Sequence, residues 1–158
     1  MKVASISEIK KELGYLELKT VQDVCMRLAK YKKENKELLN YLLFEAHDEA
    51  GYISGVKREI DEHFSVLPKG NVYFVKKSLR RILRITNKQI KYSEVKQTEV
   101  ELRIYFCSKI KKSGIQLLPS QVLFNLYDRQ LKKIEAVLAK LPEDLRYDYQ
   151  RELEQLRK

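Results

Sequence analysis

Helix-breaking residues are scarce in this chain of 158 residues, which contains five glycines and three prolines. Glycine and proline are the residues that interrupt helices and mark turns most strongly, so their scarcity favours long elements joined by few turns. Between them, apolar residues recur every three or four positions, which is the period of one helix face. The sequence therefore predicts an all-α fold of about eight helices, arranged as a compact multi-helix bundle or as stacked antiparallel helical hairpins.

Capping residues and turn residues set the predicted helix boundaries. Ser5 and Glu8 have the spacing of a capping box, and Ser113 with Gly114 forms a stop signal near the end of the sixth helix. The connections span only about 2–6 residues, so neighbouring helices should be antiparallel and the whole of residues 1–158 should form a single domain. The predicted helices begin near Ser5, Thr20, Asn35, Ala50, Asn71, Asn87, Ser120 and Pro142.

Two of these helices carry distinctive apolar patterns. The third, from about Lys36 to Asp48, is apolar nearly all round, which predicts a central position in the core. The seventh has apolar residues at alternating steps of three and four, the spacing of helices packed at shallow angles. We interpret that seam as intrachain core, with self-association as the alternative. Its members are Phe124, Tyr127, Leu131, Ile134, Leu138 and Leu141.

Composition limits the function classes. Cys25 and Cys107 both lie among apolar residues with no CxxC partner, so we expect two buried free thiols rather than a disulfide or a redox site. No apolar run approaches the 18 residues of a membrane span, and the start of the chain lacks the apolar core of a signal peptide. We therefore expect a cytoplasmic protein.

Motifs for catalysis are missing from the sequence. Gly51 and Gly55 lack the Lys-Ser/Thr that completes a phosphate-binding loop. His47 and His63 have acidic neighbours but not the spacing of a metal site, and paired carboxylates lie where capping and solvation explain them. The sequence predicts no catalytic residues, no metal and no cofactor, and we expect a non-enzymatic protein, with a helical enzyme whose site has no sequence motif as the open alternative.

The strongest asymmetry is in charge. The segment between Glu62 and Glu94 contains no acidic residue, although the chain has 22 of them and a net charge of +10. A segment with so many cations and no anions is typical of a surface that binds polyanions. The basic residues in this segment are Lys69, Lys76, Lys77, Arg80, Arg81, Arg84, Lys88 and Lys91.

Helical geometry turns this charge bias into a face. At about 100° per residue, the seven basic residues from Lys76 to Lys91 fall within one sector of about 140°, and Tyr73 shares that sector. The apolar residues of the same segment fall on the opposite side. The phase of Lys88 and Lys91 depends on the helix continuing through Thr86 and Asn87, which are mediocre helix formers.

Three hypotheses follow. In the first, this basic face, with Tyr73 beside it, binds a polyanion, most plausibly a nucleic-acid backbone. In the second, the chain is a protein-interaction scaffold, which either recognises an acidic protein partner or self-associates through the seam. In the third, nearby acidic residues neutralise the face from within, and the basic residues are only a solvated surface. The acidic residues in question are Glu59, Asp61, Glu62, Glu94, Glu99 and Glu101.

Overall fold

The computed structural model describes all 158 residues, which form eight α-helices and no strand. The all-α prediction and the number of helices are confirmed. None of the helices combines the length and the apolar content that a membrane crossing requires. The helices are α1 (Ile6–Leu13), α2 (Leu18–Tyr31), α3 (Lys33–Asn40), α4 (Glu49–Ser65), α5 (Val72–Ser93), α6 (Lys96–Lys112), α7 (Gln121–Leu138) and α8 (Glu143–Arg157).

Packing divides the chain into two compact units, Met1–Phe44 and Glu45–Lys158. The first contains α1, α2 and α3 and has no buried residue in any of these helices. The second contains α4 to α8 and every buried apolar residue of the protein except Tyr41. Packing alone does not measure cooperative folding, so a single domain over residues 1–158 stays a prediction.

The second unit is built around α6. This helix packs against α4, α5, α7 and α8, and it buries residues on most of its circumference, including Val100, Leu102, Phe106 and Ile110. Burial over most of its circumference leaves α6 only a narrow polar sector, whereas a surface helix keeps a wide polar face. Helix α6, rather than the third helix, is therefore the central element.

The expectation for the third helix is wrong in position and in extent. Helix α3 begins at Lys33 and is followed by a π-helical turn, Tyr41–Glu45. Asn35 lies inside the helix instead of capping it, and its side-chain amide donates to the Leu28 carbonyl at 2.8 Å. Leu42, Leu43 and Phe44 are exposed. The apolar residues of this segment did not place it in a core: α3 packs against α2 and has no buried residue.

Several other boundaries follow the predicted caps, whereas α2 begins at Leu18 and contains Thr20 instead of starting there. The Ser5 and Glu8 capping box is present, with both reciprocal hydrogen bonds. Asn71 and Ser120 cap α5 and α7 through their side chains. Helix α5 continues through Thr86, whose buried hydroxyl donates to the Ile82 carbonyl at 2.9 Å. That bond satisfies the hydroxyl inside the helix, so the interruption considered near Asn87 does not occur.

The seam of α7 belongs to the core of the second unit. Tyr127, Leu131, Ile134 and Leu138 are buried, as is Leu141 just beyond the helix. Phe124 is the exception, with 39% of its surface exposed. Because the other helices of the second unit cover most of the seam, it has little exposed apolar surface for self-association.

Candidate functional site

Helix α5 has the two opposite faces that its sequence predicts. Its buried residues include Val75, Leu79, Ile82, Thr86 and Ile90, which follow the helix period. This face packs against α4 and α6. The helix ends at Glu94, which adopts the left-handed conformation with φ of 58°. The packed face fixes the rotation of α5 and therefore fixes where the basic residues point.

The opposite face carries the basic stripe, defined here as Lys76, Lys77, Arg80, Arg81, Arg84, Lys88 and Lys91. Because α5 is uninterrupted from Val72 to Ser93, all seven keep the same phase. The stripe extends over about 22 Å at 1.5 Å per residue. Lys76 and Lys88 are half-buried, and the other five are exposed.

Three of the six acidic residues that could neutralise the stripe form ion pairs with other cations. Asp61 pairs with Lys109 at 2.9 Å, and Glu99 pairs with Arg103 at 2.7 Å. Glu101 pairs with Lys57 at 3.4 Å. Each of these cations lies on α4 or α6 and none belongs to the basic stripe, so these carboxylates neutralise other charges.

Six members of the stripe have no carboxylate within ion-pair distance. No ion pair of the structure includes Lys76, Lys77 or Lys91, nor any of the three arginines. Lys88 differs, since it is half-buried and has an interaction within the protein. Of the remaining acidic candidates, Glu59, Glu62 and Glu94 form no ion pair with the stripe either. Five of these six cations are exposed, and Lys76 is half-buried.

Aromatic residues lie at the N-terminal end of the stripe. Tyr73 is 59% exposed and Phe74 is 51% exposed. Their rings meet edge to face with centroids 5.3 Å apart. The ammonium of Lys76 lies 5.7 Å from the Tyr73 ring centroid. Tyr73 was expected on this face, whereas Phe74 was not assigned a role from the sequence.

A second polar region, which sequence reasoning missed, lies between α4, α6 and α8. It is a cleft of about 540 Å³ lined by Lys57, Glu101, Tyr105, Lys109 and Tyr149, among others. The Tyr149 hydroxyl donates to Glu101 at 2.7 Å, and the Tyr105 hydroxyl donates to Asp61 at 2.7 Å. These partners lie 44 to 48 positions apart in the sequence, so no local spacing could have indicated them.

Two cations of this cleft, Lys57 and Lys109, pair with carboxylates, those of Glu101 and Asp61. Burial and the hydrogen bond to Asp61 raise the pKa of Tyr105 to about 12. Burial raises the pKa of Asp61, but the hydrogen bonds from Lys109 and Tyr105 outweigh it and hold that pKa below its usual value. Lys57 and Lys109 thus have carboxylate partners within the protein, whereas six of the seven cations of the basic stripe form no ion pair.

The other candidates from the sequence are not assembled into sites. No group of three His, Cys, Asp or Glu side chains is arranged as metal ligands, so His47 and His63 do not converge with their acidic neighbours. Cys107 is buried as expected, whereas Cys25 is exposed, which contradicts the prediction for that thiol.

No protein-family model, no curated protein and no solved structure matches the chain.

Proposed function

We propose that this protein is a non-enzymatic binding module whose basic stripe on α5 binds the phosphate backbone of a nucleic acid. The observation that carries the proposal is the set of six cations on one helix face without a carboxylate partner. The residues assigned to binding are Lys76, Lys77, Arg80, Arg81, Arg84, Lys88 and Lys91, with Tyr73 beside them.

The stripe is costly for a helix that only needs to be solvated. Like charges four residues apart, such as Lys76 with Arg80 and Arg80 with Arg84, repel by about 0.2–0.5 kcal/mol each when exposed. Helix α7 shows the cheaper arrangement, since its Lys132 pairs with Asp128 at 2.8 Å. A bound anion would remove this repulsion, which supports an anionic ligand for the stripe.

Arginine content favours an anion with paired oxygen acceptors. Arg80, Arg81 and Arg84 supply planar guanidinium groups, which bind phosphate or carboxylate through two parallel hydrogen bonds. The stripe repeats these groups along about 22 Å of helix, which suits a ligand with regularly spaced charges. Binding of this kind releases counterions and reads the backbone rather than the bases.

Fluorescence anisotropy with labelled oligonucleotides tests the proposal. If about five phosphates are contacted on duplex DNA, the slope of log affinity against log salt should be about −4.5. Arg80→Glu combined with Arg84→Glu should reduce binding strongly. Arg129→Glu combined with Lys133→Glu is the matched control, because these residues are also four apart and exposed, but on α7.

Equal losses in the two double variants would show that only net charge matters, and would contradict a site on α5. Absence of binding at low salt would overturn the proposal. Polyglutamate of similar length distinguishes the acidic-protein alternative: if it binds as tightly as the oligonucleotides, an acidic protein is the better ligand. We expect it to bind more weakly than the duplex, because duplex DNA carries one negative charge per about 1.7 Å of its axis, whereas extended polyglutamate carries one per about 3.3 Å.

A second candidate function is self-association through Met1–Phe44. The helices of this unit are amphipathic but bury nothing, and their exposed apolar residues include Ile6, Leu18, Leu28 and Tyr31. Apolar surface of this extent is typical of interaction sites, and a second copy always supplies a matching amphipathic face. This surface differs from the α7 seam, which is buried.

Light scattering over a range of concentrations tests this candidate. We expect a dimer that Leu28→Glu converts to a monomer without loss of helical circular dichroism. A wild-type protein that remains monomeric at the highest concentration would contradict self-association.

A further inference from the structure

Three consecutive apolar side chains are exposed where α5 begins. Val72, Tyr73 and Phe74 are each more than half exposed. At about 100° per residue they cover about 200° of the helix circumference, so this turn is apolar on sides that cannot all face the core. Exposed apolar clusters of this kind usually mark a binding site.

The cluster adjoins the basic stripe directly. Tyr73 lies in the same angular sector as the stripe, and Phe74 lies about 20° beyond Arg81 at its edge. The Lys76 ammonium, 5.7 Å from the Tyr73 ring centroid, connects the two. A ligand that lies along the stripe therefore meets aromatic rings at one end of it.

A groove opens beside the same turn. It has a volume of about 700 Å³ and lies between the start of α5, the loop before it and the connection that leads into α7. Its walls include Leu67, Pro68, Val72, Ile115 and Leu123. Val72 lines this groove, whereas Tyr73 and Phe74 do not, so the aromatic pair is exposed outside it.

We infer that the aromatic pair Tyr73–Phe74 stacks on nucleobases, so that the protein prefers single-stranded nucleic acid to a duplex. This inference rests on the proposed function of the basic stripe and names its ligand more closely. In a duplex the base faces are already stacked on one another and cannot reach the rings. In a single strand they are available, and a cationic track with aromatic rings is how proteins bind single strands without reading their sequence.

Three labelled probes at low salt test the inference: a 15-nucleotide single strand, the corresponding duplex and an abasic strand that keeps the phosphates but lacks the bases. Tyr73→Ala combined with Phe74→Ala should lower the affinity for the single strand by about fivefold to a hundredfold. The same variant should leave binding of the duplex and the abasic strand within about twofold, because those probes offer no base face. Tyr147→Ala, which removes an exposed aromatic residue from α8, is the control and should change none of the three.

A second readout does not depend on affinity. The chain has no tryptophan, so Phe74→Trp introduces a single tryptophan at the proposed stacking position, and its fluorescence can be excited selectively over that of the tyrosines. We expect the base-containing single strand to quench it at saturation and the abasic strand to leave it nearly unchanged. This variant keeps an aromatic ring at position 74 and should retain the binding of the wild-type protein.

The results separate the two proposals. Equal losses for the single strand and the duplex in the double alanine variant, or no loss for either, would overturn the stacking inference while leaving the stripe intact. Equal binding of all three probes by the wild-type protein would also overturn it. If Arg80→Glu with Arg84→Glu leaves all binding unchanged, the proposed function itself fails.

Discussion

Arg103 connects three helices through one guanidinium group. It is 6% exposed and contacts Glu99 on its own helix at 2.7 Å, Asn87 of α5 at 2.8 Å and Gln130 of α7 at 2.9 Å. A buried cation is tolerated only when its partners satisfy it in this way. The residue contributes to the position of α5 and therefore to the position of the basic stripe.

Arg103→Ala should lower the free energy of unfolding by about 3 kcal/mol, the cost of breaking a buried ion pair. Breaking a buried ion pair costs about 3–5 kcal/mol, and we expect the lower value because Glu99 keeps a quarter of its side-chain surface exposed. Urea denaturation followed by circular dichroism measures the change. Arg129→Ala, on the exposed side of α7, is the control and should change the stability by no more than about 0.5 kcal/mol.

The two thiols should differ sharply in reactivity. Cys25 is exposed, whereas Cys107 is buried, and burial raises the pKa of Cys107 to about 12. At pH 8 only about one Cys107 thiol in ten thousand is then ionised, and the thiolate is the reactive form. A thiol reagent at pH 8 should label one cysteine rapidly and the second only in denaturant. Cys25→Ser should abolish the rapid phase, and rapid labelling of that variant would contradict the buried position of Cys107.

At the scale of the element, α5 separates stability from binding. Its packed face consists of residues such as Leu79 and Ile82, which are almost completely buried. Its basic stripe faces away from that core. Substitutions on the packed face should therefore lower the stability of the protein. Substitutions on the stripe should lower its binding and have little effect on stability.

Leu79→Ala should destabilise the protein by about 2–5 kcal/mol through the lost burial and the remaining cavity. Arg80→Glu with Arg84→Glu should leave the free energy of unfolding unchanged or raise it by a few tenths of a kcal/mol, because it replaces like-charge pairs by opposite-charge pairs with Lys76 and Lys88. Urea denaturation measures both. Marked destabilisation by the double glutamate variant would show that the stripe serves the fold.

At the scale of the whole molecule, the buried apolar residues are divided unequally between the two units. Nearly all buried apolar residues lie in Glu45–Lys158. The helices of Met1–Phe44 are only 8, 14 and 8 residues long, and isolated helices of such length are marginal in water. The two units should therefore differ in their ability to fold alone.

A fragment of residues 45–158 should unfold cooperatively in urea, because it retains the central α6 and the four helices around it. A fragment of residues 1–44 should show weak helical circular dichroism that decreases gradually on heating. A fragment of residues 45–158 that is unfolded, or that unfolds without cooperativity, would show that the two units form one folding domain. That result would support the single domain expected from the sequence.

The sequence alone determined the fold class, most helix boundaries and the rotation of α5. These depend on local effects, namely capping at Ser5, Asn71 and Ser120 and the regular spacing of apolar residues. The sequence also determined which cations share one face, because helical geometry fixes that relation once the helix is continuous.

The tertiary structure decided the rest. The exposure of the third helix, the central position of α6 and the continuity of α5 at Thr86 depend on which elements cover which faces. Packing also decided that six cations of the stripe form no ion pair. Asp61, Glu99 and Glu101 each have several cations near them in the sequence, and spacing alone does not say which cation each carboxylate pairs with. Only packing of α4 against α6 directs Asp61 to Lys109 and Glu101 to Lys57, while Glu99 pairs with Arg103 on α6. Ion pairing depends on distances of a few ångströms between side chains, and one-dimensional spacing fixes such distances only within a helix.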